Sequence, residues 1–178
     1  KTANGNLIAH EYTTDKETDF NAILTRIKGK NPDLVFFAGM DGQGAAMVQQ
    51  VKNLGLNAQF MGGDGIYTPE FMKLSGKFSD GTIASLPGAP LAQMPKGPEF
   101  QKKFEAKYGP IQLYGAYNYD AVMVMADAMK RANSADPKVY VKEMKTANWS
   151  GVTTTIGFDD KGDLKKASIT LYKVENGK

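Results

Sequence analysis

Two acids stand in glycine-rich turns that follow apolar runs. Asp64 lies in Phe60-Met61-Gly62-Gly63-Asp64-Gly65, and Asp41 follows Leu34-Val35-Phe36-Phe37-Ala38-Gly39-Met40 and precedes Gly42. An apolar run that stops at glycine is how a buried strand delivers a side chain to a cleft. A carboxylate placed there can pair with an ammonium, and a charge-assisted hydrogen bond of that kind contributes roughly 1.5–3 kcal/mol. Two such strand ends opening side by side suggest a site for something small and partly cationic. Each acid also has a purely local reading. Asp64 can close an Asx-turn before Gly65, with equal weight on either side. Asp41 can cap the helix that follows it, and that reading is the stronger of its two.

Other chemistry is poorly supplied. The chain has no cysteine, so disulfides, zinc–thiolate sites and a thiolate nucleophile are excluded, and a single histidine, His10, offers no triad. His10 sits in a strand-like pattern, where a packed or hydrogen-bonded ring is the better expectation. Gly39, Gly42 and Gly44 form neither Gly-x-Gly-x-x-Gly nor a Walker motif, which argues against nucleotide binding. Asp159, Asp160 and Asp163 resemble part of a calcium loop, but the twelfth position holds Thr170 rather than a glutamate. A turn is expected there, with no metal and no cofactor. No nucleophile–base pair is evident, so no catalytic residue is assigned; Asp41 and Asp64 as general acid and base remain an alternative. With a formal charge of +3 and no basic stripe, nucleic acid is not expected as a partner. No apolar run reaches the ~20 residues that span a bilayer.

The elements that must position these acids alternate. Residues 7–12 read as a short strand. Phe20, Ile23, Leu24 and Ile27 recur at helical spacing after possible caps at Asp15 and Asp19, and Gly29 ends the helix. Residues 34–38 are continuously apolar, the pattern of a strand buried on both faces. Residues 43–54 are helical, with Ala46, Met47, Val48, Val51 and Leu54 as the buried stripe. Residues 59–61 form the next strand, Pro69 opens a short helix, and residues 82–86 form a fourth strand. Strand–helix alternation predicts an α/β fold with a parallel sheet and right-handed crossovers, whose strand ends are where such sheets bind ligands.

The texture changes at Pro87. A Pro/Gly-rich crossing segment over residues 87–97 precedes helices expected at 98–108, 114–132 and 137–146. Tyr117, Ala121, Val122, Val124, Met125 and Met129 make a broad apolar stripe on the middle one. Tyr117 reads as core and Tyr114 as a residue at a cleft edge. Residues 157–163 form a polar turn, and residues 167–174 alternate as a strand joining the sheet at an edge. The three helices lack a sheet of their own to cover. They pack on the first sheet or belong to a lobe supplied from elsewhere. The opening residues, without an initiator Met, support the expectation that the chain is a piece of a longer protein.

Asp19-Phe20-Asn21-Ala22-Ile23-Leu24, Asp33-Leu34-Val35-Phe36-Phe37-Ala38-Gly39, Phe60-Met61-Gly62-Gly63-Asp64-Gly65-Ile66 and Gly157-Phe158-Asp159-Asp160-Lys161-Gly162-Asp163-Leu164 occur in this order. Together they resemble the periplasmic Leu/Ile/Val-binding proteins, the substrate-binding components of branched-chain amino-acid ABC importers, with the type I periplasmic binding fold. The resemblance implies two α/β lobes joined by crossing strands. Residues 1–86 would form most of the second lobe, 87–97 a crossing hinge, 98–150 helices of the other, incomplete lobe, and 151–178 a turn and returning strand. It also implies a periplasmic, non-enzymatic protein that binds leucine, isoleucine, valine or a related amino acid and delivers it to an ABC permease in the inner membrane. By the same resemblance Asp64 holds the ligand's α-ammonium, where many members carry Glu. Met40 replaces an aromatic wall of the side-chain pocket, and Tyr114 matches a cleft-facing aromatic of the first lobe; Asp41 is kept as a ligand-binding candidate on its strand-end position alone. The Ser/Thr loop that grips the α-carboxylate lies upstream. A ligand-sensing receptor lobe of the same fold is a further alternative.

Overall fold

The computed structural model describes residues 4–178. The chain divides into two compact units, Lys1–Leu86 with Leu171–Lys178, and Pro87–Thr170.

Unit 1 is built on a four-stranded sheet. β1 (Leu34–Phe37), β2 (Gln59–Gly62) and β3 (Ile83–Pro87) lie side by side, and β6 (Ile169–Lys173) flanks β3 at the edge. The first three are parallel, with Val35 opposite Phe60, Phe37 opposite Gly62 and Gly62 opposite Ala84. Gly81 N donates to Val174 O and Val174 N to Thr82 O, tying the segments that flank β3 and β6. Helix α1 (Asn21–Lys28) precedes β1, α2 (Asp41–Asn53) joins β1 to β2, and α3 (Pro69–Ser75) lies between β2 and β3. Their ends follow local chemistry. The Thr68 hydroxyl accepts from Phe71 N with Pro69 just inside the helix, and Gly55, at φ 62°, turns the chain out of α2. Gly29 follows α1 in a right-handed conformation, and the left-handed residue of that turn is Asn31.

Three expectations are corrected here. Residues 7–12 are not a strand. Their polar groups are taken by side chains instead: Lys30 Nζ donates to Ile8 O, and Arg26 pairs with Glu11 at 2.7 Å. Without a ladder, an alternating pattern does not make a strand. Strand β1 is buried on one face only. Val35 and Phe37 are buried, whereas Leu34 and Phe36 are 46% and 54% exposed. The order β1-β2-β3 explains this, because successive right-handed crossovers stepping in one direction place α2 and α3 on the same side. Gly44 of α2 accordingly lies against the ring of Phe37. The buried stripe of α2 is Gly44, Ala45, Met47, Val48 and Val51, so Ala45 takes the place expected of Ala46.

Unit 2 is mainly helical. It contains α4 (Gly97–Tyr108), α5 (Gly115–Ala132) and α6 (Pro137–Met144), and a short antiparallel pair, β4 (Trp149–Ser150) with β5 (Thr155–Ile156). Asp136 caps α6 by accepting from Lys138 N. The stripe on α5 differs from expectation: Ala116, Asp120, Val124 and Ala128 are buried at a spacing of four, and Val122 is 59% exposed. The polar turn forms as expected, with Asp159 Oδ1 accepting from Lys161 N and Asp163 N and with Gly162 at φ 89°.

Candidate functional site

Asp64 opens a short 3-10 turn, Asp64–Ile66, directly after β2. Tyr67 N donates to Asp64 O at 3.0 Å and closes the turn. Ile66 is its anchor, 2% exposed. Its side chain fills the space over Gly62 and Gly44, where an added methyl would lie 2.6 and 2.7 Å from it. Gly65 lies against the end of β1: a methyl there would collide with Gly39 O and stand 2.9 Å from the Met40 sulfur. The two strand ends therefore touch, and glycine at 65 is what permits the approach. Met40, 62% exposed, and the turn that carries Asp64 share one edge of the parallel sheet.

Asp41 is the first residue of α2. Its Oδ1 accepts from Gly42 N, and its Oδ2 accepts from the Thr68 hydroxyl at 3.1 Å. Thr68 caps α3, so Asp41 ties the starts of α2 and α3 together beside the Asp64 turn. The structure thus brings Met40, Asp41 and Asp64 to one edge of unit 1. Tyr114 belongs to unit 2, at the N-cap position of α5 and 40% exposed. Tyr117, expected in the core, is half-buried and donates from its hydroxyl to Pro87 O at 2.8 Å. His10 is exposed and rests on the ring of Tyr12, centroids 4.7 Å apart.

The chain matches the family model described as periplasmic binding protein over residues 1–178. It belongs to that family. It is 33% identical over 158 residues to a leucine-, isoleucine-, valine-, threonine- and alanine-binding protein of Pseudomonas aeruginosa, covering 88% of this chain and 42% of that relative. A leucine-binding protein from Thermotoga maritima superposes with a TM-score of 0.81 at 29% identity, covering 93% of this chain and 48% of that one. A branched-chain amino-acid transporter substrate-binding protein from Streptococcus pneumoniae, solved with isoleucine, superposes with a TM-score of 0.78 at 26% identity, covering 98% and 51%. The chain spans about half the length of the curated relatives it matches. These relatives are binding proteins rather than enzymes, and the acid–base reading of Asp41 and Asp64 is set aside. Among the described residues no helix is long and apolar enough to cross a membrane.

Sequence reasoning missed one well-built polar constellation in this periplasmic binding protein. Asp120 is 2% exposed, and its carboxylate accepts from Val152 N, Thr153 N and the Thr153 hydroxyl at 2.8, 2.8 and 2.7 Å. The signal was available: an acid inside an apolar helical stripe needs partners. Gly151 is required beside it, because any side chain there would meet the carboxylate. Unit 2 also has an open recess of about 550 Å³, lined mostly by apolar side chains including Ala121, Val124, Met125, Ile156 and Phe158. None of Met40, Asp41, Asp64 and Tyr114 lines it.

Proposed function

We propose that this chain forms part of the substrate-binding component of a bacterial ABC importer for branched-chain or related aliphatic amino acids. Asp64 binds the ligand's α-ammonium, Met40 supplies the apolar wall for its side chain, and Asp41 braces the turn between them. Tyr114 is the contribution of the other lobe. The observation that carries this reading is the contact between strand ends, where Gly65 against Gly39 and Met40 sets a carboxylate turn beside a thioether. An ammonium-bearing aliphatic ligand needs those two chemistries adjacent. Family membership and the isoleucine-bound neighbour support the ligand class.

On this reading the protein acts in the periplasm and presents its closed form to a permease in the inner membrane. The helices of unit 2 cover a sheet supplied by the remainder of a two-lobed protein, which fills the apolar cavity beside α5. Calorimetry with leucine on that two-lobed protein tests the proposal. Asp64→Ala is expected to abolish measurable binding, and an unchanged affinity would remove Asp64 from the site.

A further inference from the structure

The turn that carries Asp64 is held from three directions. Ile66 anchors it from below, and Gly65 rests on the end of β1. The third support comes from far along the sequence. The ring of Tyr67, the residue that closes the turn, lies on the ring of Tyr172 with centroids 4.7 Å apart and planes tilted by 47°. Tyr172 belongs to β6, the strand by which the chain re-enters unit 1 after Thr170.

We propose that Tyr172 is a positioning residue for Asp64, acting through Tyr67. The inference rests on the reading of Asp64 as the ammonium partner. Its basis is geometric. A 3-10 turn of three residues is held by only two backbone hydrogen bonds, Ile66 N to Gly63 O at 3.3 Å and Tyr67 N to Asp64 O at 3.0 Å, and such a short turn is weakly determined by its own backbone. Tilted aromatic pairs at this separation contribute beyond their buried area. Burial raises the Tyr172 hydroxyl above its ordinary value, with a smaller contribution from Tyr67. The contact also gives the returning strand a grip on the ligand turn.

The test is a double-mutant cycle by calorimetry in the two-lobed protein, with leucine and with the amine-free analogue 4-methylpentanoate. Asp64→Asn is expected to weaken leucine binding about tenfold or more, the loss of a charge-assisted bond. Tyr172→Ala is expected to weaken it about three- to tenfold, Tyr172→Phe to leave it unchanged, and Tyr67→Ala to match Tyr172→Ala. In the Asp64→Asn background Tyr172→Ala is expected to cost nothing further, and it is expected to leave binding of the amine-free acid unchanged. A loss that is equal for both ligands, or that persists without Asp64, overturns the positioning role and leaves a general structural one. If Tyr172→Ala does not fold, Tyr172→Leu and Tyr67→Ala decide the matter by the same criteria. If Asp64→Asn binds leucine normally, the ligand assignment itself falls, an outcome distinct from a silent Tyr172→Ala beside a damaging Asp64→Asn.

Discussion

In unit 1 several large apolar side chains are buried almost completely. Phe20, Leu24, Val48 and Val51 are fully buried, and Phe60 and Phe71 are 1% exposed. In unit 2 the buried apolar residues fall into separate small groups, one around Met94, Ala116 and Val152 and another around Val124, Ala147 and Ile156. Its strands are two residues each, and a cavity of about 550 Å³ opens beside α5. The difference follows from what each segment carries. Unit 1 has strands for its helices to cover, so alternate side chains of β1 and β2 and the stripe of α2 bury one another. Unit 2 has amphipathic helices and almost no sheet, so a buried carboxylate organises what apolar packing does not. A helix stripe is a demand for a partner surface rather than a core in itself.

The sharpest test compares truncations in the two cores. Phe60→Ala removes a ring at the centre of the sheet and is expected to cost about 3–5 kcal/mol. Val124→Ala in unit 2 is expected to cost only ~1–2 kcal/mol, because that site already borders empty space. Urea unfolding of the two variants checks this, and equal losses would break the contrast. Asp120→Ala comes next. It strands Val152 N, Thr153 N and the Thr153 hydroxyl, and its expected cost is about 3 kcal/mol. Asp120→Asn, which keeps one acceptor oxygen, is expected to fall between. If Asp120→Ala melts like the wild type, the carboxylate does not organise unit 2.

The same contrast marks what the sequence could reveal. Alternation of strands and helices through residue 86 was legible because each element carries its own period and its own caps, as at Thr68 and Pro69. The helices of unit 2 were legible for the same reason, and so was the puzzle of their missing sheet. Two things were not. The one-sided burial of β1 depends on the side to which α2 and α3 cross, a property of strand order that Leu34 and Phe36 do not encode. The failure of residues 7–12 to form a strand depends on the want of a neighbour, which no alternation of their own can supply. At the candidate site, Asp41 and Asp64 stood out as acids at strand ends, whereas the brace from Tyr172 to Tyr67 joins residues too distant in sequence for any local pattern. Asp120 is visible as an acid in an apolar stripe, but its partners at Val152 and Thr153 lie more than thirty residues away, beyond any local pattern.

Filling the cavity separates the two settings in which unit 2 could be studied. Ala121 lines that space. In this chain Ala121→Leu is expected to raise stability by about 1 kcal/mol, since the added carbons leave water for an apolar recess. In the two-lobed protein proposed above, the recess is occupied, and the same change is expected to cost about 1–3 kcal/mol through overpacking. Opposite signs in thermal melts of the two proteins would establish that the cavity is a seat for another part of the fold. The same sign in both would show that it stays open.

The smallest effect probes the margin of unit 1 that behaves like unit 2. Residues 7–12 are held to α1 by side chains, chiefly Arg26 on Glu11 and Lys30 on Ile8 O. The Arg26 hydrogen bond holds the Glu11 carboxyl below its usual value, with burial opposing and the charges of Arg26 and Lys30 assisting. A carboxyl whose folded value is depressed stabilises the folded state above its unfolded value, and that contribution is lost as pH falls through the folded value. Glu11→Gln is therefore expected to lower protection of the amides of residues 7–12 at pH 7 in hydrogen exchange, with little change in global melting. The difference from wild type should fade as the pH falls from the ordinary glutamate range through the depressed folded value, and it should shrink with added salt. A difference that persists at low pH would mean that the segment is held by backbone or apolar contacts after all, as the rest of unit 1 is.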